Sequence, residues 1–158
     1  MREKRNLNGL KMATKLFVLV FAFVGIANYA DAQVIELNER QLLEKVCRGW
    51  DYDKDFTTGI DYNGDKPCVL LFHNGMCPHA KRMGSYMDKF SRTYRGEVYF
   101  YKVNVLNLSD KTCMNFQLEG VPTMIFFGTN GRYNFGDFIE GYLDFEEFEE
   151  MIEWILEE

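Results

Sequence analysis

The sequence has a shortage of basic residues and of histidine, and both shortages narrow the possible functions. The 158 residues include 18 lysines and arginines against 24 aspartates and glutamates, for a formal net charge of −6. An acidic surface repels a phosphate backbone, which argues against a nucleic-acid partner. The only histidines are His73 and His79, and no nearby carboxylate or second thiol completes the three or four donors of a zinc site. We therefore expect neither a metal site nor a cofactor.

A second shortage concerns cysteine. The chain has four, and the segment Cys77, Pro78, His79, Ala80 has only one thiol where a redox-type Cys-x-x-Cys motif has two. Whatever this protein does, it does without a local dithiol.

The surroundings of Cys77 are typical of a reactive thiol. Residues 68–74 form a short apolar run bounded by turn formers, which predicts a buried strand. A helix is predicted from Pro78, because proline suits a first helical position and the apolar residues recur at helical spacing. Those apolar residues are Met83, Met87, Phe90 and Tyr94. Cys77 then lies at a helix amino terminus, where unpaired amides and the helix dipole favour a thiolate.

The chain also has no long hydrophobic run. Residues 16–26 are apolar, but these 11 residues fall short of the roughly 20 that span a bilayer, which disfavours an uncleaved anchor. Five basic residues precede the run, and Ala30, Asp31 and Ala32 supply a small-x-small cleavage pattern. Residues 1–32 are therefore predicted to be a secretory signal peptide and residues 33–158 a single domain. We expect a periplasmic or secreted protein with no stable membrane anchor after cleavage.

The rest of the chain predicts an α/β domain in which strands and helices alternate. Predicted strands cover residues 33–37, 68–74, 98–103, 124–127 and a segment ending near Gly141, and predicted helices follow Asn38, Pro78, Ser109 and Asp144, the third closed by Gly120. A polar connection covers residues 50–66, and Asn130-Gly131 predicts a hairpin turn. The last helix is acidic with an apolar stripe of Phe145, Phe148, Ile152 and Ile155. This order predicts a mixed sheet with helices on both faces.

These features together resemble the thioredoxin family. The element order, the cysteine at a strand-to-helix junction, the Val121-Pro122-Thr123 step and Gly141 after the last hairpin match that family over roughly residues 34–157. The segment Gly64-Asp65-Lys66-Pro67, followed by an apolar strand and Met76-Cys77, is similar to secreted bacterial thioredoxins. The resemblance implies the thioredoxin fold, a central mixed β-sheet flanked by helices on both faces.

The resemblance also implies roles for individual residues. Cys77 would be the nucleophile that attacks substrate disulfides, with Pro78 and His79 beside it. A Pro-His pair is also found in strongly oxidising periplasmic relatives, where the histidine stabilises the thiolate. The resemblance implies the same role for His79. The alternative is that His79 is an exposed histidine without a role. His73 is expected to be a packing residue.

Substrate binding would involve the residues around a cis proline. Pro122 would be that proline, and Val121 before it would offer backbone hydrogen bonds to an extended substrate. The competing interpretation is a trans proline at the start of a strand. Met76 stands before the cysteine, where relatives usually have tryptophan, and is expected to contact substrate as well.

Three positions depart from the family pattern. Ala80 replaces the resolving cysteine, Leu71 replaces a buried aspartate that helps deprotonate that cysteine, and Gly84-Ser85 replaces a helix-kinking proline. Lys102 aligns with the lysine that normally faces the aspartate. It is expected either to reach water along its stem or to lie near Cys77 and support its thiolate.

The remaining cysteines leave several possibilities open. All four survive export into a compartment that permits disulfides, and four cysteines allow three complete pairings. Cys113 is a possible alternative resolving thiol, because its helix leads towards the Pro122 turn, but a small core residue is the other interpretation. Cys47 and Cys68 are expected to be buried.

Two functions fit these residues. The first is a monothiol thiol-disulfide exchange protein, of reductase or isomerase type, whose partners are disulfide- or thiol-bearing extracytoplasmic proteins and an external thiol or reductase. The second is a redox-inactive binding module that grips extended peptides beside Pro122. A substitution made to trap substrates would explain Ala80 but gives no reason for Leu71. Because Cys77 and His79 are retained, the first function is favoured.

Overall fold

The computed structural model describes residues 33–47, 62, 64–129 and 138–157. The predicted signal peptide, the Asn130-Gly131 turn and most of the connection at residues 50–66 lie outside these ranges. Within them, no helix combines the length and the apolar character that a membrane crossing needs.

In the described part of the chain, five strands form one mixed sheet, as the sequence predicts. They are β1 (Val34–Leu37), β2 (Cys68–His73), β3 (Tyr99–Asn104), β4 (Thr123–Phe127) and β5 (Phe138–Glu140). Their spatial order is β1-β3-β2-β4-β5. Strands β1, β3 and β2 are parallel, whereas β4 is antiparallel to both β2 and β5. The central strand β2 is buried along its first five residues, which explains why its sequence is continuously apolar.

The described helices follow the predicted order. They are α1 (Glu39–Lys45), α2 (Pro78–Thr93), α3 (Asp110–Asn115) and α4 (Phe145–Glu157), with a 3₁₀ helix at Val105–Asn107 that the sequence did not predict. Helix α3 ends five residues before Gly120, the predicted end. The cause is Gln117, which has a φ of +48°, because the left-handed region is incompatible with a continuing right-handed helix.

Two apolar clusters cover the two faces of the sheet, and the alternation of side chains along β2 assigns its residues to them. Val69 and Leu71 pack with α2 and α4, whose predicted stripes supply Met83, Met87, Phe90, Phe148, Ile152 and Ile155. Cys68, Leu70 and Phe72 pack on the opposite face, with Leu42 of α1 and Phe116 after α3. The helices therefore cover both faces, as the thioredoxin fold requires.

Two of the four cysteines belong to the core. Cys47 and Cys68 are 4 % and 0 % exposed, and all four thiols are free. Burial raises the pKa of Cys47 to about 12 and raises that of Cys68 further. These two thiols act as small apolar side chains.

A carboxylate joins the start of α1 to the start of α3. Glu39 accepts hydrogen bonds from the hydroxyl groups of Ser109 and Thr112, and Ser109 also caps α3 by accepting from the Thr112 amide. The hydroxyl of Ser109, followed by that of Thr112, lowers the pKa of Glu39 below its ordinary value of 4.5. The ionised form of Glu39 is thus the one that stabilises the fold.

The Glu39 contact predicts a pH-dependent stability difference. A carboxyl with a lowered pKa in the folded chain stabilises the fold above its unfolded pKa and loses that contribution as the pH falls through the folded value. Glu39→Gln should therefore melt below the wild type at pH 7, and the gap should close between pH 5 and the lowered pKa. Thermal unfolding followed by circular dichroism measures the gap. Glu119→Gln, at an exposed site, is the control, and a gap that stays constant with pH would contradict the assignment.

The packing of α4 predicts a large loss of stability for a truncated core residue. Ile152→Ala should lower the free energy of unfolding by about 2 to 5 kcal/mol, because it removes buried methyl groups and leaves a cavity. Its neighbour Glu153 is exposed, so Glu153→Ala should change stability by less than about 0.5 kcal/mol. Urea unfolding of both variants checks the pair, and equal losses would mean that α4 does not pack as described.

Candidate functional site

The site lies at one edge of the sheet, where β2 and β3 end and β4 begins. Phe72 is paired with Thr123 across the antiparallel β2-β4 ladder, and His73 is paired with Asn104 across the parallel β2-β3 ladder. Because of this register, the turn that follows β2 and the residue that precedes β4 lie at the same edge. The tertiary structure thus brings Cys77 and Pro122 to one end of the sheet, and the Val121–Pro122 peptide bond is cis.

The turn that leads to Cys77 is held by two side chains. The carboxamide oxygen of Asn74 accepts hydrogen bonds from the amides of Met76 and Cys77 at 3.0 and 2.9 Å. The Gly75 amide donates to Nδ1 of His73 at 3.1 Å, and Gly75 has a φ of +74°, in the region that favours glycine. The three consecutive amides before the helix are therefore all hydrogen-bonded to side chains.

Cys77 occupies the N-cap position of α2 and is half-buried. Its carbonyl oxygen accepts from the Lys81 amide at 3.1 Å, which closes the first helical turn. Its side chain makes no capping hydrogen bond, and the first turn has no acidic residue. Cys77 therefore lies at the positive end of the dipole of a sixteen-residue helix. No carboxylate in the first turn of that helix weakens the positive potential there.

The ring of His79 packs against a residue that sequence reasoning missed. Its centroid lies 5.2 Å from that of Tyr142, and the Tyr142 hydroxyl lies 2.8 Å from the Tyr86 hydroxyl. Arg82 lies over the Tyr142 ring at 5.7 Å. Hydrogen bonds with Tyr86 and then Arg82 lower the pKa of Tyr142. The only sequence signal for Tyr142 was its place immediately after Gly141.

The Gly141 backbone joins this aromatic group to the proline turn. Its amide donates to the Pro122 carbonyl oxygen at 2.8 Å, and its φ of +95° favours glycine. The residue after Gly141 is Tyr142, so one short segment contacts both the proline turn and the His79 ring.

Two exposed apolar side chains accompany the thiol. One is next to Cys77 in the sequence, and the other lies at the same edge of the sheet. Met76, next to Cys77, is 72 % exposed, and Leu106 is 67 % exposed. Leu106 lies in the 3₁₀ helix directly after β3, and β3 ends at the same edge as β2 because the two are parallel. Sequence reasoning singled out Met76 but not Leu106, since nothing in the sequence predicts that the 3₁₀ helix exposes it.

A cavity of about 280 Å³ lies along the first turns of α2. Six of the positions that the sequence singled out line it: Leu71, His73, Ala80, Gly84, Ser85 and Lys102. The Lys102 ammonium lies 3.2 Å from a carboxylate oxygen of Glu36 on β1. The Lys102 side chain is 38 % exposed, so it reaches water, as one of the two expectations had it, and its charge is also paired with Glu36. The register explains this partner, since Lys102 lies between Glu36 on β1 and Leu71 on β2. Support of the Cys77 thiolate by Lys102 stays a prediction.

The surroundings of Cys113 affect how readily its thiol ionises. Burial, followed by the charges of Asp110 and Glu39, raises the pKa of Cys113, which disfavours its thiolate. Within residues 33–47, 62, 64–129 and 138–157, no three His, Cys, Asp or Glu side chains come together as metal ligands would.

The fold and this edge define a class of protein: a mixed α/β sheet with a cysteine at a helix amino terminus and a cis proline at the same end. A family model for thioredoxin matches residues 51–154. The chain belongs to the thioredoxin family, whose general chemistry is thiol-disulfide exchange.

Two comparisons with individual proteins agree with this assignment. A thioredoxin of Borreliella burgdorferi is 27 % identical over 120 residues, which cover 75 % of this chain and 93 % of that protein. The crystal structure of a chloroplastic thioredoxin z superimposes with a TM-score of 0.59 at 16 % identity, covering 80 % of this chain and 96 % of the other. The second likeness is one of fold.

The burial of the four thiols predicts the order in which they react. In the native protein, iodoacetamide should modify Cys77 first, then Cys113, and should leave Cys47 and Cys68 unmodified, because a buried thiol with a raised pKa supplies almost no thiolate. Peptide mapping by mass spectrometry after timed quenching measures the order. All four should react in guanidinium chloride, which is the control. Modification of Cys68 before Cys77 in the native protein would contradict the structure.

Proposed function

We propose that this chain is a monothiol thiol-disulfide exchange protein that works outside the cytoplasm, with Cys77 as its nucleophile. One observation carries the proposal: Cys77 is a half-buried N-cap residue at the same sheet edge as the cis Val121–Pro122 bond, and the motif position three residues later is Ala80. The site keeps the features that favour a thiolate but has no local thiol to finish the reaction.

The chemistry proceeds by successive thiol-disulfide exchanges. The Cys77 thiolate attacks one sulfur of a substrate disulfide, so that a Cys77-substrate disulfide forms, the substrate disulfide breaks, and the second substrate sulfur leaves as a thiolate. Another thiolate then attacks the mixed disulfide and restores the Cys77 thiolate. If that thiolate belongs to the substrate, the result is isomerisation without net redox change. If an external thiolate instead attacks the Cys77 sulfur, the reduced substrate is released and Cys77 is left in a disulfide with that thiol. A second external thiolate then attacks the external sulfur of this disulfide and frees the Cys77 thiolate, so that two external thiols are oxidised to one disulfide.

The neighbouring residues support this chemistry in different ways. Pro78 starts α2 at the position where a missing N–H costs nothing. His79 follows Cys77 by two residues, and its ring packs against Tyr142. An extended substrate would lie beside Pro122 and form hydrogen bonds with the Val121 backbone. The exposed side chain of Met76 would make an apolar contact with it. Cys113 is a weak candidate for the second thiol, because its pKa is raised.

The compartment is part of the proposal. We take residues 1–32 as a signal peptide, which leaves residues 33–158 as an acidic thioredoxin-like domain in the periplasm or outside the cell. Disulfides form and persist there, so both substrates and small thiols are available to it. Its partners would be proteins that carry disulfides or thiols.

Restoring the missing thiol tests the monothiol mechanism. The wild type, mixed with a disulfide-bonded peptide, should accumulate a mixed disulfide at Cys77, because nothing within the motif resolves it. Ala80→Cys should lower the steady level of that adduct at least tenfold and release reduced peptide, because the new thiol is three residues away on the same helix face. Cys77→Ser should form no adduct at this position. Intact-mass spectrometry of acid-quenched samples measures all three.

The outcomes separate the proposal from its rival. If the wild type forms no adduct at any pH between 6 and 9, the exchange mechanism is wrong. A redox-inactive binding module is the second candidate, favoured by the exposed apolar Met76 and Leu106. It predicts that Cys77→Ser binds an extended peptide as tightly as the wild type, measured by fluorescence anisotropy, and that neither protein forms an adduct.

A further inference from the structure

We propose that His73 is a positioning residue for Cys77, acting through the Gly75 amide, and that Glu36 and Lys102 hold it in place. The inference rests on the proposed function, because it assigns His73 to the presentation of the thiol. It replaces the expectation that His73 only packs at the end of β2.

The hydrogen bonds of His73 determine which ring nitrogen carries the proton. Nδ1 lies 3.1 Å from the Gly75 amide nitrogen, and an amide N–H can only donate, so Nδ1 must be the unprotonated acceptor. Nε2 therefore carries the proton and donates to a Glu36 carboxylate oxygen at 2.8 Å. The described contacts thus require a neutral imidazole in the Nε2–H form.

The carboxylate of Glu36 serves two partners from neighbouring strands. One oxygen accepts from His73 of β2, and the other lies 3.2 Å from the Lys102 ammonium of β3. The negative charge of Glu36 is balanced by Lys102, so Glu36 can accept a hydrogen bond from a neutral imidazole. Two more charged residues, Lys81 and Asp88 of α2, line the cavity that His73 and Lys102 share. Glu36 of β1 and Lys102 of β3 therefore fix the orientation of the His73 ring. The Nδ1 atom of that ring accepts the hydrogen bond that holds the turn before Cys77.

The turn itself explains why this contact affects the thiol. Gly75 has a φ of +74°, and the next residue, Met76, is 72 % exposed, so little packing holds this part of the chain. Without His73 the turn keeps only the two hydrogen bonds to Asn74. Because reactivity depends on holding the nucleophile in a productive geometry, loss of the Gly75 contact should slow attack without changing the amount of thiolate.

Three substitutions at His73 separate its two hydrogen bonds. In His73→Asn the side-chain oxygen lies near the place of Nδ1 and can accept from Gly75. In His73→Gln the longer side chain can donate to Glu36 but leaves no acceptor at the Nδ1 position. His73→Leu removes both contacts. The second-order rate of mixed-disulfide formation at Cys77 with a disulfide-bonded peptide is measured at a pH on the plateau of its alkylation profile, so that thiolate fraction does not contribute.

The result expected is a split between the polar variants. His73→Asn should react within about twofold of the wild type, whereas His73→Gln and His73→Leu should react about three- to tenfold more slowly, the range for loss of one hydrogen bond. Amide exchange at Gly75, measured by NMR, should be faster in the two slow variants only. Long-range ¹H–¹⁵N spectra of the wild type should show the Nε2–H form of His73.

Other results would overturn the inference. Equal rates for His73→Asn and His73→Gln, or a proton on Nδ1 in the wild type, would remove the role of the Gly75 contact. If His73→Leu does not fold, the rates of His73→Asn and His73→Gln still decide whether the Gly75 contact positions Cys77. A wild type that forms no adduct, while its His73 spectrum shows the Nε2–H form, would instead count against the proposed function.

Discussion

The structure depends on the pairing of β2 with a parallel strand on one side and an antiparallel strand on the other. Parallel pairing with β3 brings the carboxyl ends of two strands together, and antiparallel pairing with β4 brings the amino end of a third strand to the same edge. The residues that lead to Cys77 and the residue Pro122 are distant in sequence but adjacent to paired positions in the sheet. Because β2 is buried on both faces, a shift of its register by one residue would exchange the residues that face the two apolar clusters. The site therefore inherits its geometry from the packing of the core.

The departures from the family pattern are connected through the same register. A lysine at position 102 needs a nearby carboxylate or water, because an ammonium without either is costly to desolvate. Leu71 on one neighbouring strand cannot provide that carboxylate, and Glu36 on the other neighbouring strand does so at 3.2 Å. Leu71, Ala80 and Lys102 line the same cavity. In this chain Glu36 therefore pairs with Lys102 and also accepts a hydrogen bond from His73, while Ala80 supplies no thiol.

Much of the fold follows from sequence patterns that depend on neighbouring residues. The apolar steps of α2 and α4 and the continuous apolar run of β2 predicted buried faces, and those faces are buried in the structure. Asn38 predicted the start of α1 and forms a capping box with Gln41. The predicted end of α3 was wrong, because no sequence pattern indicates the left-handed conformation of Gln117. The 3₁₀ helix after β3 was missed for a similar reason, since three residues are too few to show a period.

The sequence by itself determined the type and order of the elements, the placement of Cys77 between a strand and a helix, and the absence of a second thiol at Ala80. Each of these depends on residues within one or two turns of one another. Only the tertiary structure decided the partners of the polar groups: Glu36 for Lys102 and His73, and Tyr142 for His79. The physical reason is that charge and ring contacts act across strands and loops that are far apart in the chain, so the sheet register, and not local propensity, selects them.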